Sequence, residues 1–228
     1  MIIQEMQDYY GKRAAEYDAS MGYDDPDVVA RLQPVIEELK VIARGRRVLE
    51  LACGPCFWTE QIFEDAASIR ATDFNETTLE QAKKKNLPSE RVSLERADAY
   101  NLKSISGNFD MVMAIDWFAH VPKSQIPDFL SGITQRIPAG SSLVFIDQLP
   151  SSNSLTNTFD AEGNHIQERV LGEDQRFRVI KHFFSDEELS EWLEPHASQL
   201  SIKRFHRCRR IMVHGKTKQC KQGVSENS

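Results

Sequence analysis

Three acidic residues, Glu50, Asp73 and Asp98, close short apolar segments of this 228-residue chain. The segments read RVLELA, IRATD and RVSLERAD, and each is typical of a strand in a parallel sheet. A carboxylate after the second strand can accept hydrogen bonds from both hydroxyls of a ribose, and one after the third can accept from an adenine amino group. Because parallel strands end at the same sheet edge, we expect the three carboxylates to grip one ligand.

The loop after the first of these strands, ELACGPCFWT, has the composition of a ligand cradle. Gly54 has no Cβ, so the backbone can approach a ligand closely, and the helix that follows offers unpaired N–H groups to a carboxylate. Glu50 supplies the opposite charge for an ammonium group. A ligand with both groups fits this loop, and the methionine portion of S-adenosylmethionine is such a ligand.

Apolar segments and helical patterns alternate along the chain, which predicts α/β architecture. Helices are expected over 27–43, from the glycine loop through residue 63, over 75–86 and over 124–136. Strands are expected over 47–52, 109–115 and 142–147, and two further strands should end at residue 73 and near residue 98. Five strand-then-helix units indicate a doubly wound, seven-stranded, mostly parallel sheet. The last two strands, LSIKRFHR and RRIMVHG, are joined by a connection too short for a parallel crossover, so they must be antiparallel.

The regular alternation is interrupted at two places. Residues 1–45 form an expected N-terminal helical cap, and residues 150–184 an insert after the fifth strand, in which HIQERVLG and QRFRVIKHF predict a β-hairpin lid. Ser185 and Glu188 predict a capping box that opens a helix. We expect one domain over 1–215 and a polar, disordered tail over 216–228.

Composition restricts the class of protein. Apolar residues make up 40% and charged residues 27%, and neither a secretory signal nor a run of membrane-spanning length is present, so a cytoplasmic protein without a membrane partner is expected. Four cysteines do not form a secreted disulfide pattern. The net charge of −6 argues against a nucleic-acid partner. Monomer and homodimer both remain open.

Nearly the whole chain, from Asp8 to Gly215, resembles the class I S-adenosylmethionine-dependent methyltransferases. Glu50, Ala52, Gly54 and Cys56 match the family's acidic residue and glycine-rich turn, although only the central glycine is present. FDMVMAIDWFAHVP resembles the fourth strand and the loop facing the methyl group, and YYGKRAAEYD resembles the opening of small-molecule members. The resemblance implies S-adenosylmethionine as cofactor and S-adenosylhomocysteine as product. The implied cofactor-binding residues are Tyr10, Tyr17, Glu50, Ala52, Gly54, Asp73, Phe74, Asp98, Ala99 and Asp116.

Methyl transfer from a sulfonium to an oxygen, nitrogen or sulfur of a small molecule is an in-line displacement, so positioning is the protein's main task. His120 is the candidate general base, because histidine titrates near neutrality, and a loop histidine bonded to backbone is the alternative. Asp116 either positions the cofactor or orients His120. Trp117 and Phe118 either wall the acceptor pocket or pack in the core. A second set either lines the roof of this pocket or forms the solvated face of the hairpin: Gln167, Arg169, Arg178 and Lys181. We expect no metal ligand among these residues.

Parts of the sequence raise four other functions. Cys53-Gly54-Pro55-Cys56 is the redox motif of thioredoxins, but the repeated strand-helix units do not suit that fold. A nicotinamide-binding dehydrogenase requires a third glycine that the loop lacks. The basic stretch 203–218 suggests a nucleic-acid methyltransferase. However, the fourth strand runs into IDWF, where enzymes that methylate amino groups of nucleic acids have a proline-aromatic motif that holds a flipped base. A sensor that binds the nucleoside without transferring methyl stays open.

Overall fold

The computed structural model describes residues 2–151 and 158–219. Its strands are β1 (Arg47–Leu51), β2 (Ser68–Asp73), β3 (Val92–Arg96), β4 (Met111–Ile115), β5 (Ser142–Gln148), β6 (Ile166–Leu171), β7 (Gln175–Ile180), β8 (Ala197–Phe205) and β9 (Arg210–Thr217). Seven of them form one sheet in the order β3-β2-β1-β4-β5-β9-β8, while β6 and β7 form a separate hairpin. β1 to β5 are parallel and β9 is antiparallel to β5 and β8. The predicted doubly wound fold is confirmed.

Helices cover both faces of this sheet. They are α1 (Ile2–Arg13), α2 (Tyr17–Met21), α3 (Pro26–Ala43), α4 (Phe57–Ile62), α5 (Glu76–Lys83), α6 (Ile126–Arg136) and α7 (Asp186–Leu193). Asp25 is the N-cap of α3, and its carboxylate accepts a hydrogen bond from the Asp27 N–H at 2.8 Å. α7 begins with the predicted capping box, in which Ser185 and Glu188 bond to each other's backbone N–H.

The alternation of side chains along each central strand divides the core into two halves. In β4, Met111 and Met113 pack on the face covered by α3, α4 and α5, whereas Val112 and Ala114 pack on the face covered by α6 and α7. Both sets are fully buried, as expected for a strand between two helical layers. The edge where β1 to β5 end is left open between these layers.

A third apolar cluster joins α1 to the hairpin, apart from the two halves of the sheet core. We call it the cap cluster, and it consists of Met6, Tyr9, Ile166, Phe177, Val179 and Ile180. Residues far apart in the sequence thus bury each other's apolar faces, so α1 and the β6–β7 hairpin pack as one unit, which we call the lid.

Several boundaries differ from those expected. β9 continues to Thr217, because Thr217 pairs with Ala197 of β8, so the sheet includes two residues that had been assigned to the tail. β3 ends at Arg96, which places Asp98 two residues beyond the strand. Part of the expected insert, 152–157, and the expected tail from 220 onward lie outside the described residues.

Candidate functional site

A narrow cavity lies at the open edge of the sheet, beside the point where strand order reverses between β1 and β4. Predicted site residues line much of it: Tyr10, Tyr17, Ala52, Gly54, Asp73, Phe74, Asp98, Ala99, Asp116, Trp117 and His120. We call it the edge cavity. Its volume of about 80 Å³ is below the ~300 Å³ of the smallest usual ligand sites, and Tyr10 of α1 and Tyr17 of α2 are among the side chains that line it.

The loop after β1 has an unusual backbone. Ala52, Gly54 and Cys56 adopt φ values of 51°, 58° and 65°, in the left-handed region that disfavours residues with a Cβ. The non-glycine residues at the two outer positions therefore keep the local turn geometry at a cost in strain. A Cβ on Gly54 would meet only Tyr17 Cε1, at 3.9 Å, so the open side of this glycine faces the crevice.

Asp73 ties this loop to the end of β2. Its carboxylate accepts hydrogen bonds from the Gly54 N–H at 3.1 Å and from the Asn75 N–H at 2.9 Å. Burial raises the pKa of Asp73 to about 6, even though these bonds favour the charged form. At neutral pH the side chain is an ionised acceptor at the crevice wall.

Glu50 lies in a second, smaller cavity beside the first. That cavity shares Tyr17, Ala52, Gly54 and Asp116 with the edge cavity, so Glu50 lies behind the wall common to both, and the grip of all three carboxylates on one ligand stays a prediction. Glu50 is 1% exposed and accepts a hydrogen bond from Thr59 Oγ1 at 2.5 Å. Burial raises its pKa to about 8, so the carboxyl is protonated at pH 7 unless a cation approaches.

Apolar residues surround Asp98 in the lining of the edge cavity. Asp98 accepts a hydrogen bond from the Tyr100 N–H at 2.9 Å, which fixes its side chain in the turn after β3. Phe74 and Ala99 are among these residues. A carboxylate at the rim of an apolar slot has the chemistry to hold a planar base that carries an amino group.

His120 is 4% exposed and has a defined tautomer. Its Nδ1 lies against the backbone carbonyl of Ile180, an acceptor, so Nδ1 carries the proton and Nε2 holds a lone pair. The Tyr10 hydroxyl lies 3.1 Å from Nε2 and donates to it. Burial, with the nearby charge of Lys181, holds the pKa of His120 well below its usual range, so the ring is neutral.

Asp116 does not orient His120, which was one of the two roles expected for it from the sequence. Its carboxylate accepts from Arg210 Nη1 at 2.5 Å and from the Tyr23 hydroxyl at 3.2 Å, and Arg210 Nη2 also donates to Tyr23. The ion pair is buried, with side-chain exposures of 6% and 5%. Asp116 therefore bonds to β9, whereas the Ile180 carbonyl orients His120. Sequence reasoning missed Tyr23 and Arg210.

The expected pocket roof is only partly realised. Arg178 is exposed and ion-paired with Glu5 at 3.0 Å, because the alternation along β7 turns Val179 inward and Arg178 outward. It does not line the edge cavity, which corrects that expectation. Arg169 donates to Gln167 and is half-buried near Tyr10 and His120, also outside the lining.

Two further predicted residues lie behind this region. Lys181 is buried and pairs with Asp147 at 3.8 Å. Phe118 is a core residue stacked on Phe145, and Trp117 alone of the predicted wall residues reaches the edge cavity.

The Cys53-Cys56 pair lacks the environment of a redox centre. Both side chains are buried as free thiols. A hydrogen bond with Cys56 and burial raise the pKa of the Cys53 thiol, whereas a reactive thioredoxin cysteine requires a lowered one.

A doubly wound sheet with a glycine turn and strand-end carboxylates at its switch point defines a Rossmann-like nucleoside-binding fold. The described residues contain no group of three or more histidine, cysteine, aspartate or glutamate side chains able to hold a metal ion. Within 2–151 and 158–219, no helix combines the length and apolar character needed to cross a bilayer.

Comparisons with known proteins find a methyltransferase domain in the chain. Residues 48–140 match a family model described as a methyltransferase domain. The chain is 30% identical to a demethylmenaquinone methyltransferase of Staphylococcus epidermidis over 97 residues, which cover 41% of this chain and 38% of that protein. It is 30% identical to a malonyl-[acyl-carrier protein] O-methyltransferase of Legionella pneumophila over 115 residues, which cover 50% of this chain and 39% of that protein. The aligned segments thus span under two fifths of these curated relatives.

A solved structure titled a DhpI-SAM-HEP complex is similar over almost the full length. It has a TM-score of 0.77 and 26% identity, and the match covers 94% of this chain and 97% of that one. The same protein in a DhpI-SAH complex gives a TM-score of 0.76 at 24% identity. Residues 48–140 therefore form a methyltransferase domain, on a Rossmann-like fold that the chain shares with these structures over almost its full length.

Proposed function

We propose that this protein transfers a methyl group from S-adenosylmethionine to a nucleophilic atom of a small-molecule acceptor by in-line displacement. The observation that carries the proposal is the edge cavity, where Gly54, Asp73 and Asp98 line the same crevice as Trp117 and His120. One end thus has the groups for a nucleoside, and the other has a neutral base beside an aromatic wall. The relatives with methyltransferase names support this assignment.

Each residue at the nucleoside end has a distinct task in this proposal. Asp73 accepts from the ribose hydroxyls, and Asp98 accepts from the adenine amino group beside Phe74 and Ala99. Glu50 faces the ammonium group from the adjoining cavity, and Tyr17 borders both cavities. The residues fit S-adenosylmethionine chemically, because carboxylates occur where its hydroxyl and amino donors must lie. When bound, the sulfonium supplies an activated methyl group.

We assign His120 as the general base. The Ile180 carbonyl holds its Nδ1 proton, so the Nε2 lone pair is available to an acceptor once the Tyr10 hydroxyl gives way. A base with a lowered pKa is weak. It suits an acceptor that loses its proton readily, such as a phenol, a thiol or a carboxylic acid, better than an aliphatic alcohol.

The size of the acceptor can be tested directly. The purified protein is incubated with S-adenosylmethionine labelled in the methyl group, together with either the fraction of a cell extract below ~1 kDa or its nucleic-acid fraction. We expect label in the small-molecule fraction, reduced by about 100-fold in His120→Ala, which loses the base. Transfer to nucleic acid would refute the acceptor class. Tight binding of the cofactor with no transfer to any fraction would favour a sensor.

A further inference from the structure

Two arginines of the basic stretch 203–218 lack an ion-pair partner among the described residues, Arg207 and Arg209. Three other cations of the stretch do have carboxylate partners: Lys203 with Glu38, Arg204 with Asp186 and Arg210 with Asp116. Arg207 and Arg209 are exposed and lie in the turn that joins β8 to β9. The free positive charge of this stretch is therefore concentrated in one turn.

Both arginines line a cavity together with Arg31 of α3, which also lacks an ion-pair partner in the described part of the chain. We call it the arginine cavity. Its volume of about 340 Å³ is within the usual range for small-molecule sites. Its lining contains no aspartate or glutamate, and none of its lining residues also lines the edge cavity.

Such a concentration of positive charge is unexpected in a chain with a net charge of −6. Three guanidinium groups beside one cavity repel each other, and no lining carboxylate offsets that repulsion. Met21, Val28 and Leu32 line the same cavity, so apolar side chains take the place of part of the water that would screen these charges. A bound anion would relieve the repulsion.

The turn keeps Arg209 in an unfavourable backbone conformation. Its φ of 54° lies in the left-handed region, where glycine or asparagine is the usual residue. Nη2 of Arg209 donates to the Leu149 carbonyl at 3.3 Å, which fixes the side chain and leaves most of its five N–H donors unused. A strained arginine with free donors at the wall of a cavity is typical of a binding position.

Guanidinium groups bind phosphoryl oxygens through paired N–H donors. We propose that the arginine cavity binds the phosphoryl group of a small ligand, with Arg31, Arg207 and Arg209 as donors. Lys203 and Arg204 on the adjoining strand are neutralised, so the free charge does not continue along β8 as a nucleic-acid backbone would require. The site does not depend on the proposed methyl transfer, since the two cavities share no lining residue.

Inorganic pyrophosphate and citrate test the ligand class, because both are multiply charged anions and only the first presents phosphoryl oxygens. Calorimetric titration of the full chain measures both affinities. We expect pyrophosphate to bind at least about fivefold more tightly, since its tetrahedral groups can accept from arginines on two different elements. Equal affinities would overturn the assignment to a phosphoryl group.

Three exposed arginines locate the binding. Arg207→Gln and Arg31→Gln each remove one guanidinium group from the cavity, and each should weaken pyrophosphate by at least about tenfold. Arg176→Gln, at an exposed arginine of the hairpin, is the matched control and should keep the wild-type affinity. Thermal melts confirm that all three variants fold. Affinity unchanged in Arg207→Gln and in Arg31→Gln would refute the site.

Nuclear magnetic resonance with the same probe identifies the surface that it contacts. We expect pyrophosphate to shift the backbone amide signals of 207–209 and to leave those of β6 and β7 unchanged. An RNA decamer provides the nucleic-acid comparison. Binding of the decamer that is tighter than that of pyrophosphate and is lost in Arg207→Gln would assign these arginines to nucleic acid and overturn the proposal.

Saturating S-adenosylhomocysteine separates this inference from the proposed function. We expect it to leave the pyrophosphate affinity unchanged, and displacement of pyrophosphate would show that the probe occupies the edge cavity instead. Calorimetry with S-adenosylhomocysteine on the same samples reports the cofactor site by itself. Failure there with retained pyrophosphate binding would count against methyl transfer alone.

Discussion

The Tyr10 hydroxyl donates to Nε2 of His120 across 3.1 Å, and this bond joins the first helix to the loop after β4. Helix α1 is also held by the cap cluster, against which Tyr10 packs, and by the Glu5–Arg178 ion pair. Docking of the lid and the state of the proposed base are therefore linked through one side chain. In this structure the tyrosine occupies the position that an acceptor's proton would take.

Nuclear magnetic resonance of the His120 ring tests this arrangement without knowledge of the acceptor. We expect Nδ1 to carry the proton and the ring to stay neutral as pH falls through 6.5, because burial and Lys181 lower its pKa. In Tyr10→Phe the ¹⁵N shift of Nε2 should move toward that of a free lone pair, with Nδ1 unchanged. Long-range ¹H–¹⁵N correlation spectra report both nitrogens. A ring that titrates near pH 6.5 would contradict the assignment.

Replacing Asp73 tests the ribose contact. We expect Asp73→Asn to weaken S-adenosylhomocysteine binding by about 100-fold at pH 8, because two charge-assisted hydrogen bonds are lost. Since the pKa of Asp73 is about 6, the wild-type advantage over this variant should shrink by about tenfold between pH 7 and pH 5. Calorimetric titration measures both effects. The control is Asp174→Asn, at an exposed carboxylate of the hairpin turn. If both variants bound S-adenosylhomocysteine equally well, Asp73 would not contact the ribose.

The buried Glu50 predicts an unusual dependence of stability on pH. Its pKa is raised to about 8 in the folded state, so the folded protein holds a proton that the unfolded chain releases above about pH 4.5. Stability should fall as pH rises from 4.5 through 8. Glu50→Gln should remove this loss and raise the free energy of unfolding at pH 8.5 by on the order of 2 kcal/mol, with little change at pH 5. Thermal melts across pH measure it, and the exposed Glu191→Gln should leave the profile unchanged.

The same carboxyl predicts proton release on cofactor binding. At pH 7 Glu50 is protonated in the free protein, and the ammonium group of S-adenosylhomocysteine should drive the proton off. The apparent enthalpy of binding should then depend on the ionisation enthalpy of the buffer. Titrations in phosphate and in Tris measure this dependence. If Glu50→Gln shows the same dependence as wild type, another group releases the proton.

The Arg210–Asp116 pair should matter for folding far more than surface pairs do. Arg210→Met leaves a buried carboxylate without its cation, and we expect it to lower the free energy of unfolding by about 3–5 kcal/mol. Arg204→Met, which breaks an exposed pair with Asp186, should cost under about 1 kcal/mol. Urea denaturation of both variants compares them. A recovery of stability in the double variant Arg210→Met, Asp116→Leu would confirm that the unpaired charge is the cause.

Local patterns in the sequence were sufficient to predict the sheet and much of the lining of the edge cavity. Burial on both sides makes each central strand a continuous apolar run, and a carboxylate at its end lies at the crevice by geometry, as Asp73 does. The capping box at Ser185 was equally local. These features depend on residues within a few positions of each other.

The unpredicted features all depend on contacts between distant parts of the chain. Arg210 and Asp116 are 94 residues apart, and they meet only because β9 inserts beside β5. Apolar and polar residues alternate along β7, so the strand has two distinct faces. The sequence did not show that α1 would cover the face with Val179 and leave Arg178 exposed to solvent. The sequence also did not predict that the edge cavity and the smaller cavity beside Glu50 are distinct. Tyr17 of α2 lines both of them, and its position depends on how α2 packs.

The cap cluster makes the lid a small cooperative unit, with its own apolar contacts and few that it shares with the sheet. Such units open by themselves at a free energy below that of global unfolding. Amide hydrogens of α1 and of the hairpin should therefore exchange together, ahead of those in β1 and β4. A ligand could then enter the edge cavity only as fast as the lid undocks. The association rate of a nucleoside would therefore report how stably α1 is docked.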